Sequence, residues 1–221
     1  KTQFVTNVSH ELKTPLASMS YAVDNLLKGV MGPVPDRVRT YLEMVRDDAQ
    51  RLHRTISDIL DLSRLEADIM RLEQATIPYS RFVRRTLDAA ALELEEREVT
   101  LQRAIPPDVG FAACDATKME RVILNVVRNA ITYTDPGGTI EVSLSSPEAS
   151  PEMIQLSVTD SGIGIPEAFL QKVTERYFRV GDHVDGMGLG LSIAKEIIAL
   201  HGGEIAIESP PPGAEQGTRV T

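Results

Sequence analysis

Two heptad patterns at the start of the chain constrain its fold more than any other feature. Apolar residues recur at alternating steps of three and four, which is the spacing of a helix-bundle seam. The first series is Val5, Val8, Leu12, Pro15 or Leu16, Met19, Val23 and Leu26, and the second is Val38, Leu42, Val45, Ala49, Leu52, Ile56 and Ile59. Breaker residues at 29–36 separate them, and Asp36 is placed to cap the second helix. We therefore predict a helical hairpin.

The predicted hairpin has an incomplete core, because each narrow seam faces only one partner helix. A symmetric dimer would complete that core as a four-helix bundle. The sequence therefore predicts a homodimer.

A histidine lies on the outward face of the first predicted helix. His10 is two residues from each neighbouring seam position, Glu11 adjoins it, and Thr14 follows one turn later on roughly the same face. Pro15 removes the hydrogen bond to the carbonyl of Glu11, so we expect a local kink or loosening. On this segment alone, a solvated surface histidine and a reactive imidazole are equally good interpretations.

Composition excludes several classes of protein. A chain of 221 residues with 42% hydrophobic content can bury a real core, and a formal net charge of −9 argues against general affinity for nucleic acid or anionic membranes. The single cysteine, Cys114, reads as a buried thiol in a reducing compartment. No apolar run approaches the length of a membrane span, so we expect a soluble protein. Heptads at one end and a strand pattern at the other suggest a piece excised from a longer protein.

Beyond the hairpin the pattern changes to a mixture of helices and strands. We predict domain boundaries at 1–68 for the hairpin, 69–78 for a linker and 79–221 for the second domain. Helices are predicted at 80–96, from the cap Asp115 to Tyr133, and at 189–201; strands are predicted at 99–105, 109–113, 140–144, 154–160, 204–208 and from 218 onward. The glutamates at 93–98 read as a solvated face. Helices on one face of a mixed sheet make an α/β sandwich, and the chain is α+β overall.

Two glycine-rich segments and a pair of asparagines carry possible chemistry. Asp160 ends a predicted strand ahead of two glycines, and 186–191 opens a helix with three. Glycines allow a backbone to approach a ligand closely, and a helix N-terminus offers free N–H groups to phosphate. Asn125 and Asn129 share a helix face, where amide oxygens would suit Mg²⁺. Each feature has a simpler interpretation, a tight turn or a hydrogen bond to a loop.

Six motifs follow one another along the chain. They are the His10 segment, the paired asparagines, Asp160 to Gly164, Tyr177-Phe178-Arg179, Gly186 to Leu191, and Gly217-Thr218. Together they resemble the sensor histidine kinases of two-component signalling over nearly the whole chain. The resemblance implies a dimeric phosphoacceptor hairpin followed by a Bergerat-type ATP-binding domain, with ATP and Mg²⁺ as cofactors. It also implies a response-regulator receiver domain as partner and a cytoplasmic location, with no membrane contact by these residues even if a longer protein is membrane-anchored.

The resemblance implies roles for the hairpin residues and for one arginine. His10 is the implied phosphoacceptor, Glu11 the acid that orients it and accepts its other ring proton, and Thr14 the position that places a water for dephosphorylating the partner. Arg179 is implied to meet the γ-phosphate.

The resemblance also implies a nucleotide site. Its residues are Asn125, Asn129, Tyr133, Asp160, Gly162, Gly164, Gly186, Gly188, Gly190, Leu191 and Thr218. Tyr133 is the implied adenine-stacking residue, Asp160 accepts from the adenine amino group, and Asn129, followed by Asn125, is the implied Mg²⁺ ligand. Asn125 stands where related ATPases carry a glutamate that activates water, and an amide cannot act as that base.

Two positions depart from the family pattern. Thr132 stands where a lysine is usual, which predicts lower ATP affinity or a slower transfer, and Thr174 replaces a phenylalanine that anchors the segment around Arg179. These departures leave open a binding module that holds nucleotide or partner helices without catalysis. A hydrolase or serine kinase on the same nucleotide fold is a further alternative, but it does not explain the hairpin.

Overall fold

A computed structural model describes residues 2–67, 69–147, 153–179 and 187–221, with side chains described from residue 11 onward. The chain divides into two compact units, residues 1–70 and 71–221.

The first unit is the predicted helical hairpin. Helix α1 spans Thr2–Leu27 and helix α2 spans Asp36–Glu66, and the two pack against each other. Helix α1 runs through Pro15 without ending. The predicted cap at Asp36 is wrong, because Pro35 occupies the N-cap position with no side-chain cap. Asp36 is instead the first helical residue, where its negative charge interacts favourably with the positive end of the helix dipole.

Burial alternates along the two seams. Leu16 and Ile56 are each 6% exposed and pack in one small apolar cluster with Ala49. The seam residues between them are open, with Met19 at 60% and Leu52 at 50% exposure. The hairpin therefore buries about every second seam residue internally and leaves the others as an apolar stripe. We define this stripe as Leu12, Met19, Val38, Val45, Leu52 and Ile59.

The described part of the second unit forms two sheets. Strands β1 (Ala75–Pro78) and β3 (Phe111–Cys114) pair antiparallel. The larger sheet has the order β2-β4-β5-β7-β6, in which only β2 and β4 are parallel. Its strands are β2 (Thr100–Ala104), β4 (Thr139–Ser145), β5 (Gln155–Asp160), β6 (Ile207–Glu208) and β7 (Thr218–Val220). Strand β1 lies inside the segment predicted as a linker. The sequence did not predict this strand, because its residues are largely exposed and show no alternation of apolar and polar positions.

Among the described residues, four α-helices accompany these sheets. They are α3 (Tyr79–Asp88), α4 (Ala91–Glu96), α5 (Ala116–Tyr133) and α6 (Gly190–Leu200). The single helix predicted over 80–96 is wrong, since tight backbone bonds from Ala89 to Thr86 and from Ala90 to Leu87 separate α3 from α4. The solvated face predicted for the glutamates is also wrong at Glu93, which pairs with Arg128 of α5 at 2.9 Å.

The core of this unit lies where α5 meets the large sheet. On β4 the inward residues Ile140 and Val142 are completely buried, and β5 adds Val158. Helix α5 supplies an apolar face that includes Ile123 and Val127, and it also contacts α3 and α6. The predicted α/β sandwich is confirmed, and Cys114 is a buried free thiol. No helix among the described residues is long and apolar enough to cross a bilayer.

Helices α5 and α6 are joined by a histidine that the sequence did not single out. The carboxylate of Asp115 caps α5 by accepting from Lys118 N at 3.1 Å, and it also accepts from Glu73 N at 3.0 Å. The N–H of Asp115 donates to Nε2 of His201 at 3.0 Å, while Nδ1 of His201 lies 2.8 Å from the carbonyl of Ile197. His201 therefore contacts the N-cap residue of α5 through one ring nitrogen and the carbonyl of Ile197 on α6 through the other.

Candidate functional site

The centre of the candidate site is the carboxylate of Asp160. It ends β5, is 9% exposed, and accepts at Oδ1 from Gly162 N at 2.9 Å and from Thr218 N at 3.1 Å. Burial raises the pKa of Asp160, while these two backbone donors oppose the rise by stabilising the charged form. In the described part of the chain no side-chain oxygen or nitrogen is both fully buried and unpaired. Both of these backbone bonds end on Oδ1, so the acceptor positions of Oδ2 are not used by them.

Glycine is required around Asp160 because backbone segments nearly touch there. A Cβ at Gly162 would lie 2.2 Å from the carbonyl oxygen of Tyr133, and one at Gly217 would lie 2.1 Å from the carbonyl oxygen of Asp160. The N–H of Ile163 also donates to the Tyr133 carbonyl at 3.1 Å. These contacts bring the end of α5, the turn after β5 and the start of β7 to one place.

Tyr133 and Arg179 lie beside this carboxylate turn. The Tyr133 side chain is half-buried; burial raises the pKa of its phenol, and the positive charge of Arg179 partly opposes that rise. Arg179 itself is exposed, and its Cγ would lie 3.1 Å from a Cβ placed on Gly188. The structure thus places Arg179 between the aromatic residue and the second glycine-rich segment.

The first turn of α6 contacts the asparagine face of α5. Nδ2 of Asn125 donates to the carbonyl of Gly190 at 3.2 Å, and a Cβ on Gly190 would meet Asn125 at an ordinary contact distance of 3.6 Å. Leu189 is buried at the N-cap of α6, where no side chain caps the helix. The free N–H groups of that turn are therefore suited to bind an anion. The predicted site residue Leu191 follows in the same turn and packs partly buried against the core.

The amide groups of α5 fit a Mg²⁺ ion. Because its Nδ2 donates to a carbonyl, Asn125 keeps Oδ1 as its remaining ligand atom, and half-buried Asn129 lies one turn further on. Among the described residues, no group of three or more His, Cys, Asp or Glu side chains could hold a metal ion. A cation at this site would therefore rely on amide oxygens, water and ligand phosphates, which is the usual environment of Mg²⁺.

The segment before Arg179 is attached to α6. The N–H of Tyr177 donates to the carbonyl of Gly188 at 3.0 Å, and a Cβ on Gly188 would lie 2.6 Å from the Phe178 carbonyl oxygen. Tyr177 has φ of +64°, a strained value for a residue with a side chain. Thr174, which we expected to weaken this attachment, lies 3.5 Å from Nζ of Lys195 on α6. A nearby ion pair, Arg176 with Glu196 at 3.7 Å, adds a second polar contact.

The remaining predicted residues lie elsewhere or are only partly described. Gly186 lies outside the described residues, and so does the side chain of His10, whose backbone belongs to α1. Glu11 and Thr14 are exposed on that helix. Gly164 follows the Asp160 turn with φ of +71°.

Two serines near Asp160 were not predicted from the sequence. Ser161 Oγ accepts from Thr139 N at 2.9 Å, and Ser209 Oγ contacts both Ile165 and Gly217. Their partners are backbone atoms, and no sequence pattern signals such contacts.

Comparison with known proteins gives two family matches. The family described as "His Kinase A (phospho-acceptor) domain" matches residues 1–68, and "Histidine kinase-, DNA gyrase B-, and HSP90-like ATPase" matches residues 114–221.

Among relatives, hybrid signal transduction histidine kinase D of Dictyostelium discoideum is 39% identical over 99% of this chain. Sensor histidine kinase WalK of Bacillus subtilis is 33% identical over 94% of it. The chain spans only 14% and 34% of the lengths of these two curated relatives.

Solved structures show the same fold. Full-length ShkA, solved in complex with AMPPNP, matches 100% of this chain and 45% of its own with a TM-score of 0.74 at 21% identity. The catalytic domain of histidine kinase ThkA matches 67% of this chain and 92% of its own with a TM-score of 0.57 at 25% identity.

Proposed function

Because this chain belongs to the sensor histidine kinases of two-component signalling, we propose that it transfers the γ-phosphate of ATP to His10 and then to an aspartate of a response regulator. The observation that carries the proposal is the Asp160 turn, where two backbone N–H groups hold one carboxylate oxygen, in a chain whose residues 1–68 match the phospho-acceptor family. The first unit supplies the acceptor and the second the nucleotide site, with the boundary near residues 69–78.

The adenine end of the site is the Asp160 turn. Oδ2 of Asp160 accepts from the adenine amino group, since Oδ1 is already engaged by Gly162 and Thr218. The half-buried ring of Tyr133 offers a face for stacking. Gly162 and Gly164 let the turn approach the base without a side chain in between.

The phosphate end of the site is the first turn of α6. Gly188, Gly190 and Leu191 present backbone N–H groups to the phosphates, and the family resemblance adds Gly186, which lies outside the described residues. Arg179, already next to Gly188, meets the γ-phosphate.

The amides of the α5 asparagines complete the phosphate end. Asn129 and Asn125 would hold Mg²⁺ through their amide oxygens, and the ion would neutralise phosphate charge. Because an asparagine amide cannot remove a proton from water, hydrolysis of ATP lacks a base at this position.

The transfer step uses the imidazole as nucleophile. A neutral ring nitrogen of His10 attacks the γ-phosphorus, the bond to the β–γ bridging oxygen breaks, and ADP leaves with the bonding electrons. Glu11 holds the ring in the reactive tautomer and accepts its other proton. A carboxylate oxygen of the regulator's aspartate then attacks the phosphorus and His10 leaves as neutral imidazole. In a separate phosphatase reaction Thr14 would position a water that attacks this phosphoaspartate and releases inorganic phosphate and the free aspartate.

The partners follow from the hairpin surface. The apolar stripe fits a second copy of the hairpin, which would convert it into the core of a four-helix bundle. The receiver domain of a response regulator is the phosphoryl acceptor, and we place the reaction in the cytoplasm. The net charge of −9 gives no support for a nucleic-acid or anionic-membrane partner.

Labelling with γ-³²P-ATP and Mg²⁺ tests the proposal. Wild-type protein should acquire a label that acid removes and alkali does not, and His10→Ala should abolish labelling while ATP binding persists. His53→Ala is a matched control, since His53 is exposed on α2 outside every motif, and it should label normally. Labelling of His10→Ala, or an acid-stable label, would overturn the proposal. Failure of the wild type to bind a fluorescent ATP analogue with Mg²⁺ would favour a scaffold instead.

A further inference from the structure

Ser209 bridges two backbone segments close to the candidate nucleotide site. It follows β6, and its Oγ donates to the carbonyl of Gly217 at 2.6 Å while accepting from the N–H of Ile165 at 2.7 Å. The hydroxyl therefore uses both its donor and an acceptor position on main-chain atoms.

The same two segments supply the hydrogen bonds to Asp160. Gly162, in the segment that ends at Ile165, donates to Oδ1, and so does Thr218, which follows Gly217. The direction in which Oδ2 points therefore depends on how these segments lie relative to each other. Ser209 is hydrogen-bonded to both of them.

The glycines of these two segments offer no side-chain contacts that could hold the segments together. Gly164 and Gly217 have no side chains, and both have positive φ values, +71° and +105°. A Cβ on Gly164 would lie 3.0 Å from Ser209 Oγ, so the hydroxyl sits directly against that turn. The two directional hydrogen bonds of this hydroxyl fix the relative position of the two segments more narrowly than van der Waals contact alone would.

We propose that Ser209 is a positioning residue for adenine recognition, which fixes the Gly162–Ile165 turn against the Gly217–Thr218 segment so that Asp160 Oδ2 faces the ligand. This proposal rests on the proposed function, because it takes Asp160 as the adenine acceptor. Ser209 touches no ligand itself and acts through Asp160.

Nucleotide binding to the full 221-residue chain tests this role. With a ribose-labelled fluorescent ATP analogue, Ser209→Ala should weaken binding about tenfold, which corresponds to loss of the single hydrogen bond between the adenine amino group and Asp160. The loss should be equal for ATP and ADP, and the preference for ATP over GTP should fall. The autophosphorylation rate at saturating ATP should stay unchanged, since the phosphate end is untouched. Ser209→Thr, which keeps the hydroxyl, should restore most of the affinity.

Ser146→Ala is the matched control. Its hydroxyl also donates to a backbone carbonyl, that of Met153, but at the far end of the β4–β5 pair, so its ATP affinity should match the wild type. Ser209→Ala with wild-type affinity, or with a lower saturating rate instead of a weaker affinity, would refute the positioning role. If Ser209→Ala unfolds below the assay temperature, Ser209→Cys should show an intermediate affinity, and a wild-type value would refute the role. Wild-type protein that binds no ATP would refute the proposed function itself.

Discussion

Replacing Gly162 by alanine tests the close packing around Asp160. The added methyl would lie 2.2 Å from the Tyr133 carbonyl oxygen and 2.8 Å from its carbon, whereas ordinary contact begins at about 3.5 Å. The turn and the end of α5 must therefore separate by more than about 1 Å. That movement would break the bonds from Gly162 to Asp160 and from Ile163 to Tyr133.

Overpacking of this kind costs about 1–3 kcal/mol, and each weakened hydrogen bond adds about 1 kcal/mol. We expect Gly162→Ala to lower the free energy of unfolding by about 3–5 kcal/mol. Urea denaturation followed by circular dichroism measures this, and repeating it with ATP should show reduced stabilisation by ligand.

Gly190→Ala is the comparison for stability. Gly190 also lies in a glycine motif, but its added methyl finds ordinary contacts at 3.6 Å and it sits in a helix. Alanine is favoured over glycine there by about 0.5–1 kcal/mol, so this variant should be as stable as the wild type or slightly more stable. A Gly162→Ala stability equal to that of Gly190→Ala would refute the packing argument.

Three further predictions concern other parts of the chain. If the proposed dimer forms through the apolar stripe, Leu52→Arg should give a monomer in analytical ultracentrifugation, while Leu92→Arg, at a leucine of α4 that is 60% exposed against 50% for Leu52, should leave the dimer intact. Because burial raises the pKa of Asp160, calorimetry should show ADP affinity falling as pH drops through that raised pKa; Asp160→Asn should bind weakly with a flat profile. Burial pushes the pKa of Asp115 upward, but backbone donors led by Glu73 and Lys118 outweigh it, so the net pKa is lowered. The stability that Asp115 contributes is present above its pKa in the unfolded chain and is lost as pH falls through its lowered pKa in the folded protein. Asp115→Ala should cost about 1 kcal/mol in denaturant titrations, and Asp115→Asn should keep the cap but flatten that pH dependence.

Long periodic segments were predictable from the sequence. The two hairpin helices have seams of seven positions each, and α5 combines a capping aspartate with an apolar face, so local pattern and tertiary packing agree. Strand β1 and the break at Ala89–Ala90 could not be predicted in this way. Strand β1 is short and largely exposed, while alanine is compatible with both a helix and the turn that ends it.

The candidate site divides along similar lines. Asp160, Gly162 and Thr218 lie in recognisable motifs, and the structure brings them together. Ser209 was missed because both its partners are main-chain atoms, whose meeting depends on the path of two loops rather than on any residue type. His201 was missed for the same reason, since its ring accepts from a backbone N–H on another helix.

Two hydrogen bonds connect helices α5 and α6. One joins Asp115 to His201 at the start of α5, and the other joins Asn125, further along α5, to Gly190. About ten residues separate these attachments along α5, a span of about 15 Å. Two hydrogen bonds at that spacing oppose sliding of one helix along the other and rotation of either helix about its axis. We therefore expect α5 and α6 to move as one rigid body. Any adjustment to a ligand near Gly190 should then occur in side chains and connecting loops.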